Sequence, residues 1–98
     1  MKNIYLFCDA GMSTSLMVSK MQKAAEEKGS DVHIEAFSLN TLKENGPKAD
    51  VLLLGPQVRF REAEVKEQFP DKPMFVIDMQ QYGMMQGDKV LDQALELV

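Results

Sequence analysis

Cysteine and histidine each occur once in the 98 residues. A lone cysteine excludes an internal disulfide, and in a reducing compartment it persists as a thiol. One Cys, one His and no ligand spacing leave no basis for a metal cluster, and no cofactor is expected. A basic stripe is also missing. Lys and Arg number 11 against 15 Asp and Glu, a formal net charge of −4. Nothing is therefore available to neutralise a phosphate backbone, which argues against nucleic acid as a partner. Long apolar runs are absent too. Ile4 to Phe7 is far too short for a membrane span, and no signal-cleavage pattern follows it, so a cytoplasmic protein is expected. No repeat, low-complexity tract or linker interrupts the chain. Residues 1–98 thus read as one domain, with no length left for a separate substrate domain.

What is present is an ordinary globular balance, 45% apolar and 27% charged. Ile4 to Phe7 suits a buried strand ending at the turn-like Cys8-Asp9-Ala10-Gly11. Ser13, Thr14 and Ser15 can start a helix, along which Met17, Met21, Ala24 and Ala25 recur until Gly29 stops it. Val32, Ile34 and Ala36 alternate with His33, Glu35 and Phe37, as in a half-buried edge strand. A short helix is predicted around Leu39 to Glu44, closed by Asn45-Gly46-Pro47. Val51 to Leu54 reads as a central strand, and Met74 to Ile77 as a fourth one. Between them Val58, Val65 and Phe69 form a weaker helical stripe. Asp88 is placed to cap a last helix whose Leu91, Ala94, Leu95 and Val98 face inward.

Strands alternating with helices imply an α/β fold with a parallel sheet covered on both faces. Right-handed crossovers and the edge character of the second strand favour a doubly wound, four-stranded parallel sheet of order 2-1-3-4. Its switch point lies at the C-terminal end of the first strand, where such folds bind ligands. Cys8 falls there.

Read as chemistry, Cys8 to Ser15 is a strand end, a small turn and a helix start. Such a turn aims backbone N–H groups at one spot, and the helix N-terminus adds partial positive charge. Gly11 allows close backbone approach, and Ser13, Thr14 and Ser15 offer hydroxyl donors. A thiolate is a strong nucleophile, and the same nest would hold a phosphoryl group that it acquires. The bland rival is a small buried hydrophobe followed by a helix cap. The loop lacks the Lys of a Walker motif and the three glycines of a dinucleotide fold.

Ile4-Tyr5-Leu6-Phe7-Cys8, Ala10-Gly11-Met12-Ser13-Thr14-Ser15-Leu16 and Val18-Ser19-Lys20-Met21 closely resemble the enzyme IIB component of the bacterial phosphoenolpyruvate-dependent sugar phosphotransferase system, in its lactose/cellobiose (chitobiose) class. Ile34-Glu35-Ala36-Phe37, Ala49-Asp50-Val51, Leu53-Leu54-Gly55-Pro56-Gln57, Val76-Ile77-Asp78 and Tyr82-Gly83 fit the same family. The resemblance implies that Cys8 accepts phosphate from a phosphohistidine of a cytoplasmic IIA protein. It implies that a disaccharide bound by the membrane IIC component then receives it, which brings the protein transiently to the inner face of the membrane. The backbone of Asp9, Ala10, Gly11, Met12, Ser13, Thr14 and Ser15 would be the phosphate cradle. Asp9 departs from the Ser that many such loops carry, and its charge opposes a phosphorylated thiol if it points inward. The competing class is a small Cys-loop phosphatase or arsenate reductase, which shares the strand–loop–helix plan but carries an arginine in Cys-x5-Arg. Thr14 stands at that position. A plain interaction module, in turn, would leave Cys8 dispensable.

His33 reads as a surface residue on the polar side of the edge strand. Asp78 and Tyr82 follow the fourth strand and either approach the loop or form a strand-end turn. Of the eight methionines, Met21 reads as core, while Met12, Met17, Met84 and Met85 include candidates for a surface that meets partners. Met12, with Leu16 beside it, is the foremost of these. Arg59 and Arg61 either dock an acidic partner or solvate a helix face.

Overall fold

In the computed structural model residues 1–9 and 11–98 are described, with the side chains of residues 11–13 outside that description. The strands are β1 (Lys2–Cys8), β2 (Val32–Ser38), β3 (Val51–Leu54) and β4 (Met74–Val76). The α-helices are α1 (Gly11–Lys28), α2 (Leu42–Asn45), α3 (Glu62–Gln68), α4 (Met79–Gly83) and α5 (Gly87–Leu95). Tight 3-10 turns flank α2, and a longer 3-10 stretch, Pro56–Arg61, leads from β3 into α3. The sheet is all-parallel with order β2-β1-β3-β4, as the sequence predicts.

Alternation along the strands feeds two cores. Ile4, Leu6, Ile34, Val51 and Leu53 point to one face, under Met17, Val18, Met21, Ala24 and Ala25 of α1 and Val90, Leu91 and Ala94 of α5. Tyr5, Phe7, Leu52 and Leu54 point to the other, against Leu39, Leu42, Val58 and Val65. All of β3 is buried, which accounts for its unbroken apolar run. Each fully buried aliphatic side chain here contributes about 1.5–3 kcal/mol of transfer free energy before the cost of ordering it. Gly29 ends α1 at φ 67°, a left-handed conformation that glycine reaches without strain, and the Ser30 amide donates to the Ala25 carbonyl at 2.9 Å.

Four details differ from the sequence reading. Phe37, assigned to the polar side of β2, is half-buried; its ring lies 4.7 Å from that of Tyr5 and 5.8 Å from that of Phe7. Aromatic packing over β1 claims the second face of this edge strand as well. β4 stops at Val76, although the Ile77 amide still donates to the Leu54 carbonyl. The last helix is capped at Gln86, which leaves Asp88 in its first turn. That helix ends at Leu95, so Val98 lies beyond it and is exposed, and Leu95 is only half-buried.

Candidate functional site

Cys8 is the last residue of β1 and buried, at the C-terminal edge of the sheet just ahead of α1. Register explains its surroundings. Phe7 pairs with Leu54, and the Gly55 amide donates to the Phe7 carbonyl at 3.0 Å, so Gly55 comes alongside Cys8. Period-two alternation puts both on the face shared by Leu6 and Leu53. A Cβ on Gly55 would lie 2.9 Å from Cys8 Sγ and 3.0 Å from Gln57 Oε1. Glycine here makes room for the thiol rather than for an unusual backbone angle, since φ is −64°. The chain then turns through Pro56, and Gln57 brings its amide oxygen to 3.6 Å from Cys8 Sγ. On the other side Asp9 Oδ1 stands 4.0 Å from the sulfur. Among the described residues the thiol proton thus has two acceptors nearby, one neutral and one anionic.

Among the cradle residues, Ala10 and the side chains of Gly11, Met12 and Ser13 lie outside the described residues. Asp9 is exposed, so solvent screens its charge even though one oxygen reaches the sulfur. Ser15 and Leu16 are exposed on α1. Thr14 is buried, and its hydroxyl lies 3.3 Å from that of Tyr82, also buried. The position that an arginine fills in a Cys-x5-Arg loop therefore holds a hydroxyl locked to α4. Tyr82 does approach the loop. Asp78 caps α4 instead, accepting from the amides of Gln80 at 3.0 Å and Gln81 at 3.1 Å.

An apolar cleft of about 550 Å³ opens beside Gln57, between the 3-10 stretch and α4. Pro56, Gln57, Arg59, Phe60, Met79 and Tyr82 line it. Phe60 and Met79 are large apolar side chains left 78% and 58% exposed, a placement that a folded chain does not need for its own stability. Phe60 and Met79 escape the sequence reading, and Gln57 enters it only as part of the family-like stretch from Leu53, with no role at the site. A signal for Gln57 exists, because a residue just past β3 in a doubly wound sheet must fall near the end of β1.

The remaining candidates separate cleanly. His33 sits on the exposed side of β2, 2.8 Å from Glu35. Met17 and Met21 are both core, Met85 packs half-buried against it, and Met84 is exposed. Arg61 donates to Glu64 at 2.6 Å on the surface of α3, and this hydrogen bond holds the Glu64 carboxyl below its ordinary range. Arg59 is the one of the two that lines the cleft.

A buried thiol at the switch point of a parallel sheet, with a helix starting behind it, defines a doubly wound α/β Cys-loop domain. Comparison with known proteins narrows the class. Residues 3–93 match the family model described as the lactose/cellobiose-specific IIB subunit of the phosphotransferase system, and the chain belongs to that family. It is a phosphotransferase component of a sugar-transporting phosphotransferase system. It is 58% identical to the galactose-specific EIIB component of Lactococcus lactis subsp. cremoris, over 99% of this chain and 96% of that one. It is 42% identical to the oligo-beta-mannoside-specific EIIB component of Bacillus subtilis, over 100% and 97% of the two chains. The solution structure of a cellobiose-specific phosphotransferase IIB component from Borrelia burgdorferi superposes with a TM-score of 0.81 at 40% identity, covering 98% of this chain and 90% of that one. The lactose-specific IIB domain of Streptococcus pneumoniae shares the fold at a TM-score of 0.82 with 16% identity, covering 98% and 96%. No helix among the described residues is long and apolar enough to cross a membrane.

Proposed function

We propose that this chain, as one IIB domain over residues 1–98, accepts a phosphoryl group on Cys8 from a phosphohistidine of a IIA protein. It then passes the group to a disaccharide of the cellobiose, lactose or chitobiose type bound by a membrane IIC component. The observation that carries the reading is the placement of the lone thiol, at the end of β1, beside a glycine that makes room for it. In the first transfer the Cys8 Sγ–P bond forms as the donor's N–P bond breaks. The thiol proton goes to the imidazole nitrogen that the phosphoryl group vacates. The backbone amides at the start of α1, just past Asp9, supply the positive end that the incoming oxygens need. In the second transfer a sugar hydroxyl displaces the sulfur and its proton returns to the thiol.

Relatives 58% and 42% identical to the chain are named for galactose and for oligo-beta-mannosides, so overall similarity names no single sugar for it. The exposed Phe60 and Met79 of the cleft that Gln57 shares serve protein partners, since apolar exposure suits contacts that shed water during transfer. The deciding test is intact-mass measurement after incubation with a phosphorylated IIA protein. One added phosphate on the unmodified chain and none on Cys8→Ser is expected. An equal gain by Cys8→Ser would end the reading.

A further inference from the structure

The Gln57 amide faces the one atom whose bonding changes, and we infer that it acts as a two-state switch on Cys8, accepting from the thiol before transfer and donating to the phosphoryl group after it. The inference rests on the phosphocysteine reading above. Before transfer, Gln57 Oε1 lies 3.6 Å from Cys8 Sγ, within reach of the S–H proton. After transfer the sulfur carries phosphorus and no proton. An amide oxygen left facing it would meet an anion with nothing to accept. A carboxamide is the side chain that can answer both states, since it carries an acceptor on one arm and two donor hydrogens on the other. Turning its last torsion, which is broad and roughly two-fold, exchanges them. Gln57 is exposed, so the turn displaces no packed neighbour.

Geometry limits the alternatives. Gly55 leaves the space that both Sγ and Oε1 use, for a methyl there would stand within 3.0 Å of each. Asp9, the other acceptor near the sulfur at 4.0 Å, cannot change sign in this way. Its carboxylate carries charge of the same sign as the phosphoryl group, and a donor from Gln57 offsets that opposition. Gln57 also lines the cleft, so a partner seated there would contact the amide while the thiol is being loaded.

The experiment measures how phosphate partitions between a phosphorylated IIA protein and this chain at equilibrium, by intact mass, for the unmodified protein, Gln57→Leu and Gln57→Glu. Gln57→Leu removes both arms, the acceptor of a weak S–H bond before transfer and the donor of a stronger, charge-assisted bond after it. It should shift phosphate back toward the IIA protein by about tenfold or more, the effect of one hydrogen bond to a charged group. Gln57→Glu keeps the acceptor and adds a negative charge, so its shift should be larger still. Melting temperatures of the unphosphorylated proteins should agree, because the residue is exposed. An unchanged partition in both variants overturns the role of Gln57 and leaves the phosphocysteine reading intact. Failure of the unmodified chain to take phosphate on Cys8 overturns both.

Discussion

Replacing Gly55 by alanine adds a single methyl group at the most crowded point of the site. Its Cβ would lie 2.9 Å from Cys8 Sγ, 3.0 Å from Gln57 Oε1 and 3.4 Å from Cys8 Cβ. Nonbonded carbon contacts are most favourable near 3.5–4.0 Å, so the sulfur must give way by about 0.6 Å or more. The backbone does not resist the change, because φ −64° and ψ 149° suit any residue. Alanine there even gains about 0.4–1 kcal/mol by restricting the unfolded chain. Against this stands overpacking, typically about 1–3 kcal/mol. Both crowded atoms end short or mobile side chains, so the low end of that range applies. The net loss should be no more than about 0.6 kcal/mol, at most about 5 °C in melting temperature for a domain this small. The effect on chemistry should be far larger. A thiol rotated out of the space that Gly55 leaves is misplaced by about an ångström, which can cost about a hundredfold in rate. Urea unfolding would read the first quantity, and the initial rate of phosphate gain from a phosphorylated IIA protein the second. Phosphate gain at the normal rate would refute the claim that Gly55 exists to make room for the thiol.

Gly87 provides the contrast, since a Cβ there would meet backbone, the Lys20 carbonyl carbon and the Met21 nitrogen, both at 2.8 Å. Gly87→Ala should push α5 off α1 and cost about 2–3 kcal/mol in urea unfolding, yet leave transfer by the folded fraction unchanged. The Thr14–Tyr82 hydroxyl pair should behave as a coupled unit. Thr14→Val and Tyr82→Phe should each cost about 1 kcal/mol, and the double variant less than their sum, as measured by denaturant titration.

Much of this fold is legible in the residues alone. An unbroken apolar run marks β3 as a central strand, helical spacing of apolar residues decides the buried face of α1, and the edge character of β2 settles its place in the sheet order. Legibility fails where two principles compete. Phe37 occupies a position that period two assigns to solvent, and ring packing over Tyr5 and Phe7 overrides the pattern. The start of α5 is hidden because Asp88 is a good cap by type, while the chain enters through Gln86 after Met85 takes φ 53°. At the site, Cys8 stands out because a lone thiol and the switch-point rule converge on it. Gln57 does not, because a surface glutamine carries no local signal. Only strand register brings it to the sulfur.

Register is also what makes the site dependable. At the N-terminal end of the sheet the Asn3 amide donates to Asp50 Oδ2 at 2.7 Å, the Asp50 amide donates to the Asn3 carbonyl at 2.8 Å, and Asn3 Nδ2 donates to the Lys48 carbonyl at 2.8 Å. Lys72 Nζ ties in the Ala49 carbonyl at 2.6 Å. These polar contacts clamp β1 against β3 at the end farthest from Cys8. A slip of one residue between the two strands would turn every β3 side chain to the opposite face. Gly55 would then no longer stand beside Cys8, and a neighbour with a side chain would take the space that the thiol occupies. The apolar strand interior resists such a slip through burial, since Val51 to Leu54 are all fully buried. Hydrophobic contact is non-directional, however, and both faces of β3 are apolar, so burial alone specifies register weakly. The directional bonds around Asn3 and Asp50 remove that ambiguity. The Ala49-Asp50-Val51 segment thus acts on the chemistry from the far end of the sheet, by holding the strand that carries Gly55 and Gln57 in step with the strand that carries Cys8.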